Sequence, residues 1–206
     1  MSTAHSVAIS AALIKDLREE TGAGMMECKK ALEASNGDKE KAKAWLRDRG
    51  VALAAKKEGR SAEKGMVGSY IHHNATVGVL LELNCETDFV ARTDDFQKLH
   101  QELCFQIAAM KPRWVSREQV PADDVEKKRK EFEAEALEQK KPAAIAAKIS
   151  EGKLDSWLAD FCLLDQAYAR EPSGKVKVKD LLTEAVAKMG ENILVRRFVR
   201  YEVGKD

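Results

Sequence analysis

Apolar residues near the start of the chain recur every third or fourth position, the spacing of an amphipathic helix. Leu13, Ile14 and Leu17 form one apolar face, and Ser10 is placed to cap this helix. Gly22 stands where the helix should end. A helix this short is unstable alone, so it must share its apolar face with neighbouring helices.

Two more short helices follow in the same region. The second begins at Met25 or Met26 and ends at Asn36-Gly37, after which Asp38 caps a third that Gly50 closes. Together the three predict a compact helical domain.

The pattern then changes from helical to alternating. Residues 66–72 and 76–83 read as two strands joined by a short turn, and a third strand covers residues 193–203 at the far end of the chain. Strands so distant in sequence that close one antiparallel sheet make this part α+β. The apolar positions on one side of the second and third strands are Val77, Val79, Leu81, Leu83, Ile193, Val195, Val199, Tyr201 and Val203.

Helices fill the interval between the second and third strands. Asp94 and Gln97 predict a capping box for a helix that should lie on the sheet and stop at Pro112. A densely charged stretch follows, and Pro142 opens another helix. We predict that these two form a projecting helical hairpin at about residues 122–152, followed by a last helix before the third strand.

The chain has 206 residues, enough for a small and a medium domain. We place the helical domain at residues 1–59 and the α+β core at residues 60–206, with the alanine-rich stretch 51–64 as a helical extension and linker.

The charge balance is close to neutral, with 35 Lys and Arg against 34 Asp and Glu. A nucleic-acid-binding protein is usually more basic, so we expect no direct contact with nucleic acid. No apolar run is long enough to cross a bilayer, and residues 1–10 lack the regions of a signal peptide. We therefore expect a soluble, cytoplasmic protein, and the lack of an Arg-rich leader favours a bacterial origin over an organellar one.

The cysteines are far apart and include no Cys-x-x-Cys pair, which predicts reduced, buried thiols. His72-His73 together with Cys85 could suggest a metal site, but no second paired ligand follows at zinc spacing. The two histidines fit better at the end of a hairpin. We predict neither a metal nor another cofactor. The four cysteines are Cys28, Cys85, Cys104 and Cys162.

Side-chain catalysis has no support in the sequence. There is no Ser-His-Asp order and no pair of carboxylates in an apolar setting. Gly22-x-Gly24 is not a phosphate loop, because a helix precedes it and no Gly-Lys-Ser/Thr follows. We predict a binding protein with no catalytic residues.

One short stretch carries the strongest functional signal. Thr87, Asp88, Phe89 and Val90 connect the second strand to a helix, which predicts that Phe89 stands on a surface loop as a pre-positioned probe. An alternative stays open, in which Thr87 and Asp88 are turn or capping residues and Phe89 and Val90 fold back onto the core.

Met25-Met26 is the second signal, because one of two neighbouring helical residues must point away from the core. An exposed, flexible thioether suits an adaptable protein contact. The alternative is that neighbouring parts of the protein cover both side chains.

Two stretches of the chain resemble the elongation factor Ts family, whose members are nucleotide-exchange factors for the GTPase elongation factor Tu. They are residues 84–92, which contain the Thr-Asp-Phe-Val motif, and residues 21–32. The resemblance continues at residues 141–142, 171–173 and 189–193. Both main motifs are long and stand in the family's order and spacing.

The resemblance implies how the protein works. Phe89, within the motif Thr87 to Val90, would enter an apolar slot of the GTPase near its Mg²⁺ while Asp88 disturbs the groups that hold the ion. The amino-terminal domain would be similar to ubiquitin-associated domains. Its turn and first helical residues would touch a second surface of the GTPase, and the candidates there are Gly24, Met25, Met26 and Lys29.

The sequence also departs from the family pattern. Many members have a core of two related halves, whereas the motif occurs once here, as in the short form that pairs into a homodimer. Such a dimer would form by an isologous contact of the sheet or its nearby helices. Arg92 replaces the usual Lys and keeps the charge, while Tyr168-Ala169 replaces a Pro-Phe type of sequence and leaves the role of that loop open.

Two other functions stay open. An adaptor of the ubiquitin-associated type would explain the three-helix domain but not the α+β core. An RNA-binding translation protein is suggested by scattered cations, although the neutral balance argues against it. These cations are Lys56, Lys57, Arg60, Arg196, Arg197 and Arg200.

Overall fold

A computed structural model describes residues 9–140 and 142–205. Residues 1–8, the start of the predicted helical domain, and Lys141, part of the family resemblance, lie outside the described residues. The fold is α+β, as predicted. Its elements are α1 Ala11–Thr21, α2 Met25–Ala34, α3 Lys39–Lys57, β1 Lys64–Ile71, β2 Val77–Cys85, α4 Asp88–Ala91, α5 Asp94–Met110, α6 Ala122–Glu138, α7 Ala143–Phe161, α8 Val178–Met189 and β3 Leu194–Glu202.

Internal contacts group the chain into two compact units. The first contains the residues up to Gly65 together with 84–96 and 182–194. The second contains 66–83, 97–181 and the residues from Val195 onward. The predicted division of the sequence after residue 59 stays a prediction.

Three predicted capping residues of the first unit, Ser10, Gly22 and Asp38, have the roles that the sequence indicates. The Ser10 side chain accepts a hydrogen bond from the Leu13 N–H, and Gly22 ends α1 in the left-handed conformation at φ 66°. Asp38 caps α3 through the Lys41 N–H. The three helices share one core, made of Leu17, Cys28, Ala31, Leu32 and Ala42.

Gly50 does not close α3, contrary to the prediction. The helix continues to Lys57, and Gly50 is buried in its interior. A Cβ at Gly50 would lie 3.3 Å from the Ala187 Cβ, so this glycine allows α8 to approach closely. Packing is the reason for the glycine, which the local sequence cannot distinguish from a stop signal.

The second unit contains a three-stranded antiparallel sheet with β2 in the centre. The His72 N–H donates to the Val77 carbonyl at 2.9 Å and closes the β1–β2 hairpin. The Val203 N–H donates to the Thr76 carbonyl at 2.9 Å, beside the start of β2. His72 and His73 follow β1 at the hairpin end, as predicted.

One face of the sheet is covered by α5. A Cβ at Gly68 would lie only 2.5 Å from the His100 ring, so the glycine leaves space for this buried histidine. The His100 Nε2 atom lies 3.1 Å from the Leu81 carbonyl oxygen. Tyr70 meets the Phe105 ring edge to face. The predicted inward face of β2 is confirmed by its buried residues, Val79, Leu81 and Leu83.

The opposite face of the sheet exposes several apolar residues. On β3 the alternation is present, but past Val195 its odd-numbered apolar residues face outward. The inward side of β3 includes Phe198 and Arg200, and the Arg200 Nε donates to the Ala108 carbonyl. The exposed apolar residues on the outer face and at its edge are Val67, Ile71, Leu80, Val199, Tyr201 and Val203.

The start of α5 differs from the predicted capping box. The Thr93 hydroxyl accepts a hydrogen bond from the Phe96 N–H at 3.3 Å and also donates to the Val90 carbonyl. Thr93 therefore caps the helix, and Asp94 is its first residue.

The predicted helical hairpin is formed by α6 and α7. The Ser150 hydroxyl donates to the Arg129 carbonyl at 2.8 Å, and Arg129 pairs with Glu151 at 2.9 Å. Lys153 pairs with Glu135 at 2.7 Å.

The buried amide of Gln106 on α5 holds the loop around Tyr168. The Gln106 side chain donates to the Ala167 carbonyl and accepts from the Ala169 N–H at 2.8 Å. The Tyr168 hydroxyl donates to Glu102 at 2.5 Å. Burial, followed by this hydrogen bond, raises the pKa of Tyr168 to about 12. Tyr168 thus has a structural contact at the position where the sequence departs from the family.

All four cysteines are free and buried, as predicted. Across residues 9–140 and 142–205, no cluster of three or more His, Cys, Asp or Glu side chains could hold a metal ion. None of the helices in the described part of the chain is both long and apolar enough to span a membrane.

Candidate partner-binding site

The Thr-Asp-Phe-Val motif forms a one-turn helix, α4, instead of the predicted loop. Thr87 has extended backbone geometry, and its hydroxyl accepts a hydrogen bond from the Val90 N–H at 3.3 Å. This is an N-cap, the geometry that favours helix over coil in so short a segment. The open alternative was therefore correct about Thr87 as a capping residue.

The same alternative is wrong about Phe89. The Phe89 side chain is 79% exposed, whereas Val90 is half-buried. A large aromatic side chain that adds nothing to its own core is a candidate for contact with a partner.

Asp88 lies on the exposed turn next to Phe89. Its carboxylate accepts a hydrogen bond from Arg92 at 2.9 Å, one helical turn later, and both side chains are largely exposed. An exposed pair of this kind is weak and can be exchanged for partner groups at little cost.

The base of α4 is fixed by a residue about a hundred positions away in the sequence. One carboxylate oxygen of Glu191 accepts the backbone N–H groups of Glu86 and Thr87, each at 3.0 Å. The other accepts the Thr87 hydroxyl at 2.6 Å. Glu191 therefore satisfies three donors at the end of β2.

Two further contacts fix the same strand end. The Cys85 thiol donates to the Thr87 carbonyl at 3.0 Å, and burial raises the pKa of this thiol. The Glu86 carboxylate accepts the Asn192 N–H at 2.7 Å and a hydrogen bond from Arg60. The Asn192 N–H, supported by the charge of Arg60, holds the pKa of Glu86 below its ordinary value of 4.5.

The amino-terminal candidates lie at the start of α2. Gly24 is its N-cap residue with an ordinary φ of −61°, and a Cβ there would enter open space. Met25 is 52% exposed and Met26 63% exposed, so neighbouring residues cover neither of them. Lys29 is exposed one turn later and lies 3.8 Å from Glu33.

The Thr-Asp-Phe-Val motif and the start of α2 both belong to the first compact unit. Lys188, on α8, lies near residues that neighbour each of them. The Lys188 ammonium pairs at 2.7 Å with Asp95, in the first turn of α5. It also lies 3.4 Å from the position of a Cβ on Gly22, in the turn before α2.

Several cations that suggested RNA binding are occupied within the protein. Lys57 donates to the Gly190 carbonyl at 2.6 Å, and Arg60 contacts Glu86. Arg197 pairs with Glu82, and Arg200 pairs with Glu202, both at 2.7 Å. These partners reduce the positive charge available to a phosphate backbone.

Sequence reasoning missed the residues that support the motif. Glu191 and Asn192 carried only the family resemblance, and Glu86 and Arg60 had no assigned contact with each other. Their partners are far apart in sequence, so no local pattern could reveal them.

Comparison with known proteins adds the identity of the family. Residues 50–178 match the family described as Elongation factor TS. Elongation factor Ts of Fervidobacterium nodosum is 54% identical over 197 residues, which cover 96% of this chain and 99% of that relative. Elongation factor Ts of Anaeromyxobacter sp. (strain K) is 54% identical, covering 96% of this chain and 89% of its own. That of Thermoanaerobacter sp. (strain X514) is 53% identical, with 96% of each chain covered.

An α+β fold with an exposed aromatic turn, together with these relatives, defines a translation elongation factor. The chain belongs to the elongation factor Ts family.

Proposed function

We propose that this protein is a guanine-nucleotide exchange factor for elongation factor Tu. It binds the GDP-bound GTPase, displaces Mg²⁺ and promotes release of GDP. Family membership supports the choice of partner. The observation that carries the mechanism is the exposure of Phe89 on a one-turn helix whose base is held by Glu191.

The protein acts by differential binding and is not an enzyme. A partner that bound the nucleotide-filled and empty GTPase equally would shift nothing, so this protein must prefer the empty form. The coupling is reciprocal, and typical values of about 1–3 kcal/mol correspond to roughly 5- to 150-fold effects on affinity.

The motif supplies part of this preference. Phe89 enters an apolar slot near the Mg²⁺ site, while Asp88 leaves Arg92 and competes for the polar groups that hold the ion. Thr87 and Val90 keep the turn in shape. Mg²⁺ demands near-ideal octahedral geometry, so a small displacement of its ligands releases it. Burial of Phe89 contributes roughly 1.5–3 kcal/mol, enough to displace the ion's ligands but not for a very large acceleration by itself.

The start of α2 supplies a second contact. Met25 and Met26 present flexible apolar side chains that adapt to a partner surface. Gly24 lets the partner approach the backbone, and Lys29 adds a positive charge.

The outer face of the sheet is the proposed homodimer contact. An antiparallel sheet with one covered face normally has a polar second face. Here that face has exposed apolar residues on all three strands, and two such faces pack as a sandwich about 10 Å apart. The partners are thus elongation factor Tu and a second copy of this chain, without direct contact to nucleic acid. Its role in translation elongation puts the protein in the cytoplasm.

The test is release of fluorescent GDP from elongation factor Tu, measured with and without the protein. Replacement of Phe89 by Ala should slow stimulated release by roughly 10- to 100-fold, the equivalent of the lost apolar contact. Asp88→Asn should slow it less, because the side chain keeps its shape and loses its charge.

The matched control is Leu137→Ala, which removes another exposed apolar side chain from the second unit. This variant should stimulate GDP release from elongation factor Tu at the normal rate. Normal stimulation by Phe89→Ala would contradict the proposed mechanism. Equal affinity for the empty and the GDP-bound GTPase would contradict the function itself.

A further inference from the structure

Glu191 has contacts that its position in the chain does not explain. It follows α8 and precedes β3, yet its carboxylate makes no helix cap and reaches the end of β2 instead. All three of its hydrogen bonds go to Glu86 and Thr87, directly before the turn that presents Phe89.

The hydrogen bonds have a defined direction. A carboxylate can only accept, so the Thr87 hydroxyl must point its hydrogen at Glu191. The lone pairs of that hydroxyl then face the Val90 N–H, which donates to it at 3.3 Å. Glu191 thereby orients the group that caps α4.

A second, reciprocal contact joins the same two segments. Glu191 accepts the N–H of Glu86, while the Glu86 carboxylate accepts the N–H of Asn192 at 2.7 Å. The Asn192 amide also donates to the Arg60 carbonyl at 2.8 Å. The strand end before α4 is therefore tied at several points to the segment around Glu191.

We propose that Glu191 is a positioning residue for nucleotide exchange, which holds the one-turn helix so that Phe89 is presented in a single orientation. The inference rests on the proposed function of Phe89. A four-residue helix has too few internal hydrogen bonds to persist alone, so its order must come from outside. Without Glu191 only a fraction of molecules presents Phe89 correctly, and the apparent affinity for the GTPase falls to that fraction of its original value.

The test is a double-mutant cycle in the GDP-release assay, with Glu191→Ala and Phe89→Ala alone and together. We expect Glu191→Ala to slow stimulated release about tenfold. In the Phe89→Ala background the same change should have less than about a twofold effect, because there is no side chain left to position. Glu19→Ala, which removes an exposed glutamate of the same unit, is the control and should change nothing.

Thr87 provides a second route to the same answer if Glu191→Ala does not fold. Thr87→Val keeps the shape of the side chain but loses the hydroxyl, and it should show the same coupling to Phe89→Ala. Thr87→Ser restores the hydroxyl and should restore exchange. A general loss of stability would slow GDP release whether or not Phe89 is present, and would therefore show no coupling to Phe89→Ala.

The outcomes separate the two hypotheses. If Phe89→Ala stimulates GDP release at the normal rate, the proposed function of the motif is wrong. If Phe89→Ala is slow but the effects of Glu191 and Thr87 substitutions are the same in both backgrounds, the positioning role is overturned and the proposed function stands.

Discussion

At the scale of single residues, the informative side chains are those that the fold does not use. Phe89, Met25 and Met26 are large and apolar, yet each exposes more than half of its surface. Asp88 pairs with Arg92 on the surface. Their replacement should therefore separate binding from folding.

The first prediction concerns the two methionines. The double substitution Met25→Ala and Met26→Ala should change the free energy of unfolding by no more than about 0.5 kcal/mol per site, because both side chains are exposed. Affinity for the empty GTPase should fall at least about tenfold, since partial burial of two thioethers is lost. Calorimetric titration and denaturant unfolding measure the two effects. A large loss of stability with normal affinity would contradict this assignment.

At the scale of elements, two glycines show that the same residue type has different roles in a helix and in a strand. Gly152 lies inside α7, and a Cβ there would meet nothing within 4 Å. Gly68 lies on β1, where a Cβ would overlap the His100 ring. The first glycine only weakens its helix, whereas the second makes the packing of α5 on the sheet possible.

The second prediction compares Ala at these two positions. Gly152→Ala should raise the free energy of unfolding by about 0.5–1 kcal/mol, the usual gain when Gly leaves a helix interior. Gly68→Ala should lower it by about 1–3 kcal/mol, because the buried ring must move. Urea unfolding of both variants beside the parent protein tests the contrast. Equal effects would mean that the close approach of Gly68 to His100 is wrong.

At the scale of the whole molecule, two features go beyond any single element. The outer face of the sheet has exposed apolar residues on all three strands, and carboxylates with lowered pKa occur in both units. The first bears on assembly and the second on stability in acid.

The third prediction tests the proposed dimer. Leu80 lies on the central strand, and Tyr201, on β3, is 73% exposed. Replacing both by Asp places charges opposite each other across a symmetric interface, which should convert the dimer into folded monomers. Sedimentation velocity measures the change, and circular dichroism checks the fold. Sedimentation of the unmodified protein as a monomer at micromolar concentration would contradict the proposal.

The fourth prediction concerns pH. The Asn192 N–H, with help from Arg60, lowers the pKa of Glu86, and hydrogen bonds from Lys39 and Lys43 lower the pKa of Glu20. A lowered pKa means that the native state binds the proton less well than the unfolded state does. The contribution is therefore complete above the ordinary value of 4.5 and is lost as the pH falls through the native pKa.

The melting temperature should thus change little between pH 7 and about pH 5 and should fall below that range. Glu86→Gln should melt lower at neutral pH and should show a shallower fall in acid. Thermal unfolding followed by circular dichroism across this range provides the measurement. A melting temperature that rises on acidification would contradict the assignment of these groups.

Local sequence determined the elements because local interactions decide them. Ser10, Gly22 and Asp38 cap or end helices through hydrogen bonds that span only a few residues. The alternation along β2 correctly gave its buried face. The two motifs and their spacing were sufficient to indicate the family, because Thr-Asp-Phe-Val and residues 21–32 can be recognised without any knowledge of contacts.

Tertiary structure decided what those elements do. Gly50 looked like a helix end and instead packs against Ala187. The odd-numbered apolar residues past Val195 on β3 looked like core and are exposed. The hydrogen bond from the Thr87 N–H to Glu191 joins residues 104 positions apart. Periodicity states which residues share a face but not what lies against that face, because the partner comes from a distant part of the chain.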